Sequence, residues 1–283
     1  MIIRSKAKVF KNAFYTIFVA TGIADIASLF GVGTLRLIRE LNLGEETRDL
    51  ALLSLITNNV ALIAHLIGNM LITINRYSAL CLMTRYDEIW TRKNVWIAVI
   101  VQYVISFVLF VHVTRANVHY AHNADGTAAM GGLREKQIDL IAKFTCVGAC
   151  IIYATVSLSL NVRLLIEWKR MSSTNSVPRH RHHDKGLLLY GLLVFVCTML
   201  VCSQQIVRAI SIFTGNTTLN LWISIQYAWM NEFMVSMAPL SLLLLSSDFR
   251  QEIRNILRCS KHRTGTSLFV SLPSTRRSVV ERF

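Results

Sequence analysis

The chain has 283 residues, 53% of them apolar and only 16% charged, with 13 Gly and three Pro. That composition excludes a disordered or fibrous protein, and apolar blocks of bilayer-spanning length exclude an ordinary soluble enzyme. A net charge of +14, from 30 Lys and Arg against 16 Asp and Glu, would suggest nucleic acid for a water-soluble chain, but here the cations lie between apolar blocks and no nucleic-acid partner is expected.

In chain order, a basic opening with Arg4, Lys6, Lys8 and Lys11 leads into a first apolar block over 13–35. It is longer than the apolar core of a signal peptide and carries Asp25 where a cleavage site would follow, so it reads as a span. Further blocks run over 50–74, 95–113, 138–162, 187–207 and 219–245. Each is about 19 to 27 residues long, enough at 1.5 Å per residue to cross a hydrocarbon core about 30 Å thick. Lipid offers no partner to a bare peptide group, so each block is expected to be helical. The expected fold class is therefore all-α, a polytopic membrane helix bundle with six spans. The fourth span carries Asp139 and Lys143 near one end, within snorkelling reach of the interface.

Beyond the sixth span, Phe249, Ile253, Ile256 and Leu257 share one helical face and Arg250, Arg254 and Arg258 line the other. This pattern predicts an amphipathic surface helix over 247–258, ending at Cys259, in position for acylation. The bundle with its surface helix takes up 1–258, and 259–283 is expected to be a disordered basic tail.

Orientation follows from the cations between the spans. The N-terminal segment, the loops after the second and fourth spans and the tail hold 22 Lys and Arg, against seven in the alternate loops. The positive-inside rule then places both termini in the cytoplasm. Asn216, Thr217 and Thr218 form a glycosylation sequon on the opposite, exterior side. Cys146, Cys150, Cys197 and Cys202 fall inside spans, where small apolar packing is the plain reading.

The most informative stretch is NRYSALCLMTRYDEIW, Asn75 to Trp90, at the cytoplasmic end of the second span. Arg76, Tyr77, Ala79, Leu80 and Tyr86 keep the spacing with which rhodopsin-like receptors close their third helix; Asn75 stands where those receptors have an acid, and Met83 where they have proline. An Arg at the buried edge of a helix end can bond carbonyls or a neighbouring helix, and its release is then a two-state event. In the sixth span Pro239 precedes Phe249 at the distance seen where a receptor's seventh helix meets its surface helix, although Ala238 and Leu242 depart from that motif.

With Tyr86, Asp87, Ile89 and Trp90, and the opening KNAFYTIFVATGIADIAS, the chain resembles nematode serpentine chemoreceptors of the gamma superfamily, classes gamma and V, over most of its length. The resemblance implies a rhodopsin-like receptor that passes an external small-molecule or peptide signal to a heterotrimeric G protein. It also implies a multi-pass protein of the plasma membrane, in a neuron's sensory cilium, with membrane lipid as its solvent and no cofactor. In that alignment the first span corresponds to a receptor's second helix. The expectation is then an N-terminally truncated receptor or a six-helix relative.

Polar residues inside the spans are candidates for ligand contact or for hydrogen bonds between helices. Asn58 and Asn59 stand about 26 Å along the helix from Arg76, near the exterior mouth, and are the first choice for a pocket. Gln204, Gln205, Tyr227, Asn231 and Tyr103 are further candidates, and Glu232 is a mid-span carboxylate that must pair, protonate or face water. Asp25 sits where rhodopsin-like receptors often carry an Asp that helps bind sodium, and His65 is a candidate neighbour; the rest of such a site is not visible, so pairing with a polar neighbour is the plainer reading. His180, His182 and His183 lack metal-ligand context and read as a solvated surface facing the G protein.

A G-protein-coupled chemosensory receptor is the leading reading, with Asn75, Arg76, Tyr77, Tyr86, Pro239 and Phe249 as coupling and switch residues. A six-span transporter or channel, or a truncated receptor without signalling activity, is the alternative. A membrane enzyme ranks third, since neither a Ser and His dyad at useful spacing, paired intramembrane aspartates nor an HExxH motif is found in the sequence.

Overall fold

Because every peptide group in hydrocarbon must bond within its own segment, the apolar blocks fold as long helices. The structure, a computed structural model, describes residues 13–122, 128–173, 181–245, 250, 251 and 254. The main helices are α1 (Ala13–Glu40), α2 (Arg48–Cys81), α4 (Arg92–Phe110), α5 (Lys136–Ser173), α6 (Arg181–Phe213) and α7 (Thr217–Leu245), with the one-turn α3 (Tyr86–Ile89) between α2 and α4. Six helical segments among the described residues are long and apolar enough to cross a membrane, matching the six expected spans. Several outrun the apolar blocks: α5 continues to Ser173, since good helix formers prolong a helix once it has left the lipid.

Local chemistry sets the ends. The Thr91 side chain accepts the Asn94 N–H at 3.3 Å and opens α4. Gly215, at φ 65°, takes the left-handed conformation that ends α6, and the Asn216 N–H turns back to Ser211 O at 2.9 Å. Asn216 Oδ1 then accepts the Leu219 N–H at 2.9 Å and starts α7, so the sequon asparagine is an exposed helix cap. Of the expected surface helix, residues 250, 251 and 254 are helical, and Arg250 Nη1 donates to the carbonyl of Leu244 at the end of α7. Phe249 and Cys259 lie outside the described residues.

One element was not expected. Between α4 and α5, β1 (Val118–His122) and β2 (Ala128–Leu133) pair antiparallel, with a bulge between His119 and Tyr120. Val118 and Tyr120, two residues apart and so on one face, bury against Ile38 of α1 and Ala51 of α2. Tyr120 OH lies 3.2 Å from Thr47 Oγ1, and Arg48 donates to Asn117 Oδ1. Glu135 accepts the Asn117 N–H at 2.7 Å and its Nδ2 at 3.1 Å; these bonds, the backbone one foremost, hold its carboxyl below the usual carboxylate range. The hairpin thus tethers the ends of α1, α2 and α5 at one end of the bundle, with Arg76 toward the other.

The central helix is α2, which packs against α1, α4, α5 and α6. Its closest approach is at Gly68, where a Cβ would come within 2.0 Å of Thr21 Oγ1 on α1 and 2.8 Å of Gln102 Nε2 on α4. Such small-residue contacts let membrane helices approach closely. Gly68→Ala is expected to cost about 1–3 kcal/mol by overpacking, read as a lowered midpoint of thermal inactivation in phospholipid discs, while Gly22→Ala, where a Cβ meets nothing within 4 Å, leaves it unchanged. Outward faces such as Ile23, Ile26 and Phe30 on α1, or Ile97, Ile100 and Val104 on α4, are exposed and apolar, as a lipid-solvated surface requires.

Candidate functional site

Buried polar side chains form a seam through the bundle. Asp25 of α1 and His65 of α2 are both buried, and His65 Nδ1 lies 2.6 Å from Asp25 Oδ1. Asn69, one turn further along α2, places Nδ2 at 2.7 Å from His65 Nε2. That nitrogen is therefore an acceptor, and Nδ1 keeps the proton it donates to Asp25. Thr198 of α6 has its Oγ1 3.4 Å from the same Nε2 and donates to Val194 O at 2.8 Å. Three helices thus meet on one imidazole.

Nearer the hairpin end lies a second layer. Ser28 Oγ of α1 donates to Asn58 Oδ1 at 3.0 Å and faces Asn231 Oδ1 of α7 at 3.2 Å, while Tyr227 OH donates to Asn58 Oδ1 at 3.3 Å. The structure therefore brings Asn58 of α2 together with Tyr227 and Asn231, one turn apart on α7, and adds Ser28 of α1 as the third part of the sequence. Gln204 Nε2 donates to Ile223 O at 3.1 Å, joining α6 to α7. Asn231 Nδ2, Gln204 Oε1 and Arg208 Nε are buried atoms with no hydrogen-bond partner among the described residues. Gln205 is buried and Asn59 half-buried. Tyr103 stands apart, donating to Ala20 O at 2.6 Å across the α1 and α4 contact. Glu232 turns away from the seam, with Oε1 3.9 Å from Arg36 Nη1, and the Arg36 guanidinium lies 4.9 Å from the Trp229 ring centre.

At the far end, Arg76 is buried, and its three guanidinium nitrogens have no hydrogen-bond partner among the described residues. Aromatic faces take the place of an acid: the guanidinium carbon lies 4.9 Å from the Phe14 ring centre and 4.7 Å from that of Tyr190. Gly191 leaves the room, since a Cβ there would come within 3.1 Å of Arg76 Nη1. Beside it, Asn75 Nδ2 donates to Tyr86 OH at 3.1 Å and Trp90 Nε1 donates to Ser78 Oγ, so α3 and the start of α4 are pinned to the end of α2. Burial raises the Tyr86 hydroxyl above its ordinary value, against the lowering effect of the Asn75 bond. Tyr77 is half-buried, and Pro239, within α7, faces outward, while its neighbours Ala238 and Leu242 pack in the cluster that holds Phe14 and Tyr190.

Sequence reasoning missed Ser28, Asn69, Thr198, Phe14, Tyr190 and Gly191. Asn69 had a signal, four residues after His65 on one helical face. The others are ordinary residues whose roles depend on which helices are neighbours.

Six helices long and apolar enough to cross a membrane, joined by a buried polar seam and with an enclosed arginine at one end, define a multi-pass α-helical membrane protein. Residues 1–259 match the model of the family described as serpentine type 7TM GPCR chemoreceptor Srv, and the chain belongs to that family. No curated protein matches it.

Proposed function

We propose that the protein is a G-protein-coupled chemosensory receptor of the plasma membrane, at the sensory cilium of a neuron, with its basic loops and both termini in the cytoplasm. The observation that carries this reading is Arg76: a buried cation at the end of the central helix, without a hydrogen-bond acceptor among the described residues, packed against the rings of Phe14 and Tyr190. A cation so placed is held by the packing of α1 and α6 and becomes available to a cytoplasmic partner when those helices part. Family membership supports the chemoreceptor role. Asn58, Asn59, Gln204, Gln205, Tyr227 and Asn231 supply the ligand contacts of the seam, Tyr103 at the α1 and α4 contact and Glu232 on the outward face of α7 are contacts apart from it, and the unpartnered atoms of Asn231 and Gln204 favour a polar ligand group between α6 and α7. Asn75, Tyr77, Tyr86, Pro239 and Phe249 complete the switch with Arg76, Cys259 is acylated, and Asn216 is glycosylated.

The test is nucleotide exchange on a panel of heterotrimeric G proteins by the full chain in phospholipid discs. Exchange above that of empty discs is expected for at least one G protein, with a tenfold or greater loss in Arg76→Ala. Ion flux in liposomes free of G protein, without nucleotide exchange on any member, would overturn the reading in favour of a transporter or channel.

A further inference from the structure

Glu232 sits roughly 20 Å from either end of α7 along the helix, at mid-span. A carboxylate at that depth needs hydrogen-bond donors or a close cation. It has neither within hydrogen-bond distance among the described residues: Arg36, at 3.9 Å, is its one ion-pair partner there, and that guanidinium is stacked on Trp229. Beside Glu232 a cleft of about 540 Å³ opens between α6 and α7, lined by Cys197 and Leu200 on one wall and Trp229, Phe233 and Ser236 on the other. Trp229 and Phe233 are 56% and 51% exposed on a surface that faces lipid, so the cleft opens sideways into the bilayer. Its volume falls within the range of about 300–1,000 Å³ common for small-molecule sites, and its walls are mostly apolar.

We propose that this cleft binds a protonated lipophilic amine that enters from the bilayer, its ammonium donating to Glu232 and its alkyl chain lying against Leu200, Trp229 and Phe233. The assignment rests on the receptor reading for its biological meaning but not for its chemistry. Charge decides the class: the group that lacks donors is a carboxylate, so the ligand must bring donors and positive charge, which an alcohol or a fatty acid of equal length does not. Arg36 competes for the same carboxylate. Its removal therefore strengthens amine binding.

The test uses the full chain in discs of uncharged phosphatidylcholine and follows quenching of tryptophan fluorescence by dodecylamine with a nitroxide on its terminal carbon. A saturable component lost in Trp229→Phe is expected, weakened at least tenfold by Glu232→Gln, abolished by Ser236→Trp, which fills the cleft without changing charge, and strengthened severalfold by Arg36→Gln. The gain in the last variant separates the site from misfolding. Equal quenching by dodecylamine, dodecanol and dodecanoate bearing the same nitroxide would mean that any acyl chain fills the cleft, and would overturn the proposal, as would unchanged affinity in Glu232→Gln. Binding without nucleotide exchange on any G protein would sink the receptor reading and leave the site; exchange without such binding would do the reverse.

Discussion

Tyr190→Leu is expected to raise ligand-free nucleotide exchange about thirtyfold, while Tyr190→Phe leaves it at the wild-type level. The ring of Tyr190 stacks on Arg76 at 4.7 Å, but its hydroxyl has no hydrogen-bond partner among the described residues. The aromatic face, and not the phenol, is therefore what holds the arginine. A desolvated cation and π contact of about 2 kcal/mol, removed from the closed state alone, shifts a two-state equilibrium by about thirtyfold. Leucine keeps much of the bulk in a site only 1% exposed, so the effect is not that of a large cavity. Basal exchange rates of the two variants in discs check this, with equal rates as the outcome that would remove the aromatic cage from the mechanism.

The second large effect is on stability. His65→Leu leaves the Asp25 carboxylate buried without the imidazole that lies 2.6 Å from it, its one side-chain hydrogen-bond partner among the described residues, and removes the acceptor that Asn69 uses. Leaving a buried charged group without its hydrogen-bond donor costs about 3 kcal/mol or more. Removing both partners, in Asp25→Ala with His65→Leu, takes away the stranded charge and is expected to recover more than half of that loss. Thermal inactivation of the two variants and the parent, in the same discs and at one scan rate, reads the difference. A double variant no more stable than His65→Leu would show that the stranded carboxylate is not the source of the loss.

The sequence was most informative where a single segment carries the signal. Six apolar blocks named six helices because an unbroken apolar block of that length satisfies its own peptide groups in hydrocarbon only as a helix, and the Asn75 to Trp90 stretch was legible because its contacts, Asn75 to Tyr86 and Ser78 to Trp90, are local. Asp25 with His65 was within reach because charge inside lipid demands a partner. What stayed hidden depends on helix neighbours: that Phe14 and Tyr190, 176 positions apart in the numbering, both face Arg76, or that Ser28 meets Asn58 and Asn231. The β1 and β2 hairpin was missed because a five-residue and a six-residue strand leave too little alternation to stand out beside the apolar spans.

The proline at 239 has no N–H to offer the carbonyl of Val235, so one rung of the α7 ladder is missing between Glu232 and Leu242. Above that rung the helix holds the cleft; below it, Leu242 packs in the cluster around Phe14 and Tyr190. α7 is in effect two levers on one fulcrum, and with that bond already absent the lower arm swings at less cost there, so a movement of the helix at the carboxylate would reach the arginine as a change of angle rather than as a translation of the whole helix.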